Sequence, residues 1–312
     1  MAATWDGDRF AWSQPLARHT SLTIRSDSSV FLLIFIQYIS QTTSRPCNRT
    51  TMPEHAEVRI MSEFINRSAG GRTFASAHRV ERGNVPHMMR EGRFEIRAKS
   101  VGKQLTLVCD HGNDSDTYHV FMGMSGNWSF VPTADWSSTR FTRLRFDSAD
   151  GMSLLLHGAY MGPKFSLNRP FSGQRRGPDP VSDPDAFREN VMSGLGSRAF
   201  DKPLGETLLN QAYFNGIGAY LAAEILGRSG ANPFSTPNQL GREGLDRLID
   251  VVVDCVEQSY RHGGGELMDW DNPMGRSTID QWIRFYGNDR ECAKHRFGSR
   301  NIWVEKRWLG QL

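Results

Sequence analysis

LLNQAYFNGIGAYLAAEIL, running from Leu208 to Leu226, is two apolar helical patterns joined by Asn215-Gly216-Ile217-Gly218. Glycines at Gly216 and Gly218 let a turn backbone come close to a ligand. A helix starting just after them presents backbone N–H groups that suit an anion. Asn215 adds a side-chain donor. The stretch therefore reads as a turn that grips a phosphate. A glycine turn between helices is common, so its weight depends on what surrounds it.

Downstream, Leu245, Leu248, Ile249, Val252, Val253 and Val256 mark another helix, which ends at Gly263-Gly264-Gly265. The region from Trp282 to Trp303 reads as a short helix and a β-hairpin turning near Gly298-Ser299. Upstream, Asp183-Pro184 makes a helix start, with a capping residue followed by Pro at the first helical position. Phe187, Val191, Met192 and Leu195 give that helix its apolar face. Ser172–Pro184 is rich in Gly, Pro, Asp and Ser and reads as a hinge. Before it lie short strand-like runs: Phe94–Ala98, Gln104–Val108, His119–Met122, Trp128–Val131, Leu144–Phe146 and Ser153–Leu156. Turn residues separate them, as in an antiparallel sandwich. From Pro53 a helical pattern places Val58, Met61, Phe64 and Ile65 on one face.

The expected fold class is α+β. An N-terminal antiparallel β-sandwich flanked by helices comes first, at 52–171. A hinge at 172–184, a helical domain at 185–281 and a hairpin with tail at 282–312 follow. Residues 1–51, rich in Ser, Thr and Gln, read as an extension outside that fold. Val30 to Ile36, preceded by Arg9, Arg18 and Arg25, imitates a secretory signal, but no clean cleavage site follows it.

The chain has 312 residues, a net charge of +3 and four cysteines. That length allows two cores. The mild charge means that a polyanion must be met by a local basic stripe. Four cysteines make no disulfide scaffold and suggest a reducing compartment. No apolar run reaches the roughly 20 residues of a spanning helix.

Met52-Pro53-Glu54 carries the candidate chemistry. A proline that becomes an N-terminus is a secondary amine, and an α-amino pKa of about 8 leaves it partly unprotonated near neutrality. Desolvation lowers that value further. Glu54 stands next to it as a general acid/base. Methionine before a small second residue is the order in which an initiator is normally removed. Taken alone, Pro-Glu is an ordinary helix start.

Together these stretches resemble the formamidopyrimidine-DNA glycosylase/endonuclease VIII family, over roughly Met52 to Trp303. Met52-Pro53-Glu54-His55-Ala56-Glu57 is similar to the family's M-P-E-G-P-E and departs from it at His55 and Ala56. The resemblance gives Pro53 the role of nucleophile, Glu54 that of proton carrier and Glu57 that of a positioning acid. Val101-Gly102-Lys103-Gln104-Leu105 resembles the strand whose lysine, here Lys103, holds the DNA backbone. Gly123-Met124-Ser125-Gly126 is similar to a loop whose methionine, Met124, enters the space left by an extruded base. Phe187–Val191, Phe200–Leu204 and Leu208–Leu226 resemble the helix–two-turn–helix module, which makes Asn215, Gly216 and Gly218 DNA contacts.

Cys292 and His295 have ligand-like spacing, but no second pair follows, and structural zinc needs four ligands. Neither metal nor cofactor is expected. Phe297–Trp303 resembles the zincless finger of the endonuclease VIII-like branch, with Arg300 gripping phosphates beside the lesion. The loop His157–Pro163 lacks the Arg with which relatives plug the opposite strand, leaving Tyr160 or Met161 to fill that space.

The resemblance implies a bifunctional DNA glycosylase/AP lyase. It flips the damaged nucleotide from double-stranded or bubble DNA and removes oxidised pyrimidines and ring-opened purines through a Pro53 Schiff base with β,δ-elimination. A monomer without a membrane partner is expected, in the nucleus, with an organelle left open by the Arg-containing extension. One alternative is a zincless formamidopyrimidine/8-oxoguanine-DNA glycosylase. If residues 1–51 stay attached, the Pro53 nitrogen is an ordinary amide and the alternative is a DNA-damage binding protein without lyase activity.

Overall fold

Helix α1 (His55–Ala69), with Glu54 at its N-cap just after Pro53, buries Val58, Met61 and Ile65, as a 3.6-residue period requires, while Phe64 is half-buried. The computed structural model describes residues 53–310 except 82–84, 139–140, 159–160, 174, 266–271, 273–274 and 276. The extension at 1–51, Met52 and Tyr160 thus lie outside the described residues. At the start of α1 the Glu57 carboxylate accepts the Glu54 N–H at 2.7 Å, one arm of a capping box.

The chain then makes β1 (Phe74–Glu81), β2 (Val85–Val101), β3 (Gln104–Asp110), β4 (Ser115–Phe121), β5 (Asn127–Pro132), β6 (Thr142–Ser148), β7 (Met152–His157) and β8 (Lys164–Leu167). These are ordered β5-β7-β6-β1-β2-β3-β4-β8, every neighbour antiparallel. The long strand β2 joins two layers: its first half pairs with β1 and its second half with β3. Side chains from both layers, among them Phe74, Phe146 and Leu154 on one side and Leu105, Leu107 and Tyr118 on the other, share one core with α1. Tyr118 of β4 meets Phe146 of β6 edge-on at 5.1 Å. The architecture is the expected α+β sandwich.

The sequence pattern missed β1, the first half of β2 and β8. Those stretches hold few large apolar residues, and the outer half of β2 is largely exposed. Ladder hydrogen bonds, and not burial, hold it in place.

A second core gathers α2 (Pro184–Met192), α3 (Leu204–Thr207), α4 (Ala219–Ser229) and α5 (Pro237–Arg261). Asp183 caps α2 by accepting the Ala186 N–H, with Pro184 at the first helical position. Thr236 and Gln239 form a capping box at the start of α5, and Gly241, at φ +67°, breaks that helix near its beginning. Helix α6 (Ile279–Trp282) leads to the hairpin β9 (Cys292–Phe297) and β10 (Arg300–Glu305), followed by α7 (Lys306–Leu309). Phe297, Ile302 and Val304 of the hairpin join the helical core.

One expectation needs correcting. The element before Asn215 is not a long helix but the single turn α3 and a series of tight turns. Backbone turns such as Phe214 N–H to the Asn210 carbonyl remain, but side chains take over some of the backbone's hydrogen bonds there. Asn210 Oδ1 accepts the Ala212 N–H at 3.1 Å. Gln211 donates to the Ile217 carbonyl at 2.8 Å and accepts the Gly216 N–H at 3.1 Å. Such local bonds compete with helix continuation.

The two cores are tied through α1. The Tyr260 hydroxyl of α5 donates to both Glu63 oxygens at 2.9 and 2.7 Å, and the Arg59 guanidinium lies 3.8 Å above the Tyr260 ring.

Candidate active site

Glu54 reaches from the start of α1 to the N-terminus of α4. Its carboxylate accepts the N–H groups of Gly218 at 2.7 Å, Tyr220 at 3.0 Å and Leu221 at 3.4 Å. This corrects the reading of α4 as a helix whose first N–H groups stand free for a phosphate. A buried carboxylate of the same chain takes that position, satisfying the same orphan donors and the same helix dipole. Gly218 is required by this approach: a Cβ there would lie 2.3 Å from Glu54 Cδ and 2.5 Å from Lys103 Nζ. Glu54 and Lys103 therefore face each other across one glycine, with Pro53 buried next to Glu54.

Electrostatics follow from burial. Glu54 is 3% exposed and Lys103 9%. Loss of water pushes the Glu54 carboxyl up to about 7 and Glu57 adds to the rise, while Lys103 and the α4 N–H groups oppose it. Burial likewise pulls the Lys103 ammonium below its ordinary value, with Glu54 and Glu57 resisting and Arg300 and Arg176 assisting. The result is a buried acid–base pair with both members moved toward neutrality. Burial also raises Glu57. Besides the Glu54 N–H, Glu57 accepts the Tyr220 hydroxyl at 3.0 Å and the Gly265 N–H. It thereby locks α1, α4 and the glycine run after α5 to one another. Tyr220 was not singled out from sequence, since it resembles any core aromatic.

Asn215 is fully buried, and its amide donates to the Gly177 carbonyl at 2.8 Å. Direct donation from Asn215 to a phosphate is therefore not what this structure displays. Its side chain instead packs on Gly102, where a Cβ would fall 2.1 Å from Asn215 Oδ1. Gly102 has φ +57° and Gly216 φ +96°, so both turns depend on glycine. The His55 N–H donates to the Gly216 carbonyl at 3.1 Å. Sequence reading also missed Asp179, which accepts His55 Nε2 at 2.9 Å and the Gly102 N–H at 2.8 Å.

Two cavities share Arg300, and one of them borders this pair. One, of 500 Å³, is bordered by Lys103, Arg175, Arg176, Gly218 and Arg300. The other, of 1180 Å³, is bordered by Arg79, Arg143, Lys164, Arg300, Met124 and Met161. Arg300, exposed at the start of β10, lines both. The cavities give the local basic surface that the net charge does not advertise. Adjacent Arg175-Arg176 in a Gly-rich segment was the missed sequence signal. Met124 is half-buried, Met161 is 64% exposed, and the Met124 N–H donates to the Met161 carbonyl at 3.0 Å, so the two methionine loops are held together.

Cys292 and His295 lie on one strand at an odd separation, so they point to opposite faces. His295 packs on Phe234 and Phe297 at ring distances of 5.0 and 4.9 Å. Among the described residues no helix is long and apolar enough to cross a membrane.

A β-sandwich joined to a helical core, with a buried Glu–Lys pair at the head of a glycine-led helix, defines a class of α+β protein with a basic double cavity. Comparison with known proteins makes the class specific. Residues 52–159 match the formamidopyrimidine-DNA glycosylase N-terminal domain. The chain is 33% identical to human (Homo sapiens) endonuclease 8-like 1 over 287 residues, covering 81% of this chain and 72% of that protein. It is 27% identical to endonuclease 8 of Enterobacter sp. strain 638, over 68% of this chain and 81% of that protein. The fold matches the crystal structure of the MutM (Fpg) protein from Thermus thermophilus with a TM-score of 0.67, at 22% identity, covering 83% of this chain and 99% of that one. The chain belongs to the formamidopyrimidine-DNA glycosylase/endonuclease VIII family.

Proposed function

We propose that this protein is a bifunctional DNA glycosylase/AP lyase of base excision repair, acting on oxidised pyrimidines and ring-opened purines flipped from double-stranded or bubble DNA. The observation that carries the reading is the buried Glu54–Lys103 pair beside Pro53, at the edge of a basic cavity. Once the chain begins at Pro53, its secondary amine attacks the sugar carbon that bears the base. The N–C bond forms as the glycosidic bond breaks, and the base leaves with a proton. Glu54, poised near neutrality, carries protons to and from the opening sugar, and the iminium intermediate permits β- and then δ-elimination. Glu57 fixes Glu54. Lys103 and Arg300 meet phosphates, the turn at Gly216 and Gly218 holds Glu54 in place beside them, and Met124 enters the vacated stack. Asn215 supports that turn from below. The protein works as a monomer in the nucleus.

A cut strand ending in phosphate on both sides of the gap, from an oligonucleotide carrying 5-hydroxyuracil, is the expected product of the protein that starts at Pro53. Intact strands from that protein, with DNA still bound, contradict the reading. A second reading has its own support: in the full sequence Met52 acylates the Pro53 nitrogen. A chain retaining 1–52 binds damaged DNA without lyase activity. Excision of 8-oxoguanine in preference to oxidised pyrimidines would move the substrate to the zincless formamidopyrimidine-glycosylase branch.

A further inference from the structure

His55 and Asp179 are 3% and 4% exposed. His55 Nε2 lies 3.0 and 2.9 Å from the two Asp179 oxygens. The same carboxylate accepts the N–H groups of Gly102 at 2.8 Å, Val181 at 2.9 Å and Ser182 at 3.0 Å. Burial alone would raise Asp179, yet His55 and the N–H groups of Gly102 and Ser182 hold it well below the usual carboxylate range. It is an ion with every strong partner in place.

The sequence positions give this pair its meaning. His55 follows Glu54, and Gly102 precedes Lys103. The His55 backbone is bonded to Gly216, two residues before the glycine across which Glu54 and Lys103 face each other. The His55 ring also packs on that turn: a Cβ at Gly216 would lie 3.0 Å from both His55 Cβ and Cδ2. Neither His55 nor Asp179 is among the residues lining the two cavities. Whatever they do for chemistry, they do through their neighbours.

We infer that His55 and Asp179 are positioning residues for the reaction. One carboxylate fixes both the backbone that carries Lys103 and the side chain that follows Glu54, so it sets the distance between the acid and the ammonium. The stretch from Ser172 to Pro184 is, by this assignment, part of the catalytic apparatus and not merely a connector. A shift of about 1 Å in such a pair is enough to cost on the order of a hundredfold in rate without loss of binding. A buried hydrogen-bonded pair of purely structural purpose would instead show its loss in stability.

The inference rests on the glycosylase reading above, and its test separates the two. Single-turnover excision and half-saturating DNA concentration are measured for the protein starting at Pro53 and for His55→Phe, His55→Gln and His55→Asn. Glutamine can reach Asp179 with an N–H, whereas asparagine is shorter by one carbon. The expected result is a roughly 10- to 100-fold lower rate for His55→Phe and His55→Asn, with half-saturation within about threefold, and a largely restored rate for His55→Gln. If His55→Phe fails to fold, the His55→Gln and His55→Asn pair carries the same comparison. An active parent with equal rates in the folded variants, or with weaker binding in place of slower excision, overturns the positioning role alone. An inactive parent overturns the glycosylase reading and the positioning role together.

Discussion

Glu54 accepts three N–H groups at a position only 3% exposed, and in the proposed mechanism it also carries protons. Those N–H groups and Lys103 favour the anion, while burial favours the acid, and burial wins. Its carboxyl rises from 4.5 to about 7. Between those values the folded protein holds a proton that the unfolded chain has released. The Glu54 contribution to stability is thus complete below about 4.5 and is lost as pH climbs through 7. Glu54→Gln should lower the excision rate by on the order of 100-fold. It should also make the fall in unfolding free energy between pH 5 and pH 8 shallower than in the parent, as read from denaturant titrations. A fall as steep as the parent's would contradict the assignment. Of this cluster, Glu54, Glu57 and Lys103 were legible in sequence because they sit in motifs. Asp179 was not, since its Pro-flanked, glycine-rich setting has the composition of a linker and its partner His55 lies far away in the chain.

Helix α4 works through its first turn. Gly218 has ordinary extended backbone angles, so alanine there is not strained by its φ. The obstacle is the space, already filled by Glu54 and Lys103. Both are the far ends of flexible side chains, so they move aside and the helix survives. Gly218→Ala is therefore expected to lose at least 10-fold in excision while its unfolding free energy changes by no more than about 1 kcal/mol. A thermal melt and a single-turnover assay decide this, and full activity would contradict the crowding. Elements where period and caps agree, such as α2 behind Asp183-Pro184 and the body of α5, could be read directly from sequence. The turns before Asn215 could not, because Asn210 and Gln211 replace helix bonds with side-chain bonds while the apolar spacing still looks helical. Nor could β1 and the outer half of β2, whose place is set by strand partners.

The molecule brings its site together from opposite cores. Pro53, Glu54 and Glu57 open α1, which packs on the sandwich. Lys103 sits at a turn of that sandwich, Gly218 heads a helix of the second core, and Arg300 begins a strand of the hairpin packed into it. A reaction at this junction needs both halves held together, which Glu57, Asp179 and the Tyr260–Glu63 bond achieve. The proposed lyase reaction depends on a single atom, the Pro53 nitrogen, which must be an amine and not an amide. The direct test is borohydride trapping on 5-hydroxyuracil DNA, with mass spectrometry of the cross-linked peptide, for the full chain and the chain starting at Pro53. A covalent adduct on Pro53 is expected in the short chain and none in the full chain. An adduct on a lysine, or no adduct from the short chain while DNA remains bound, would contradict it.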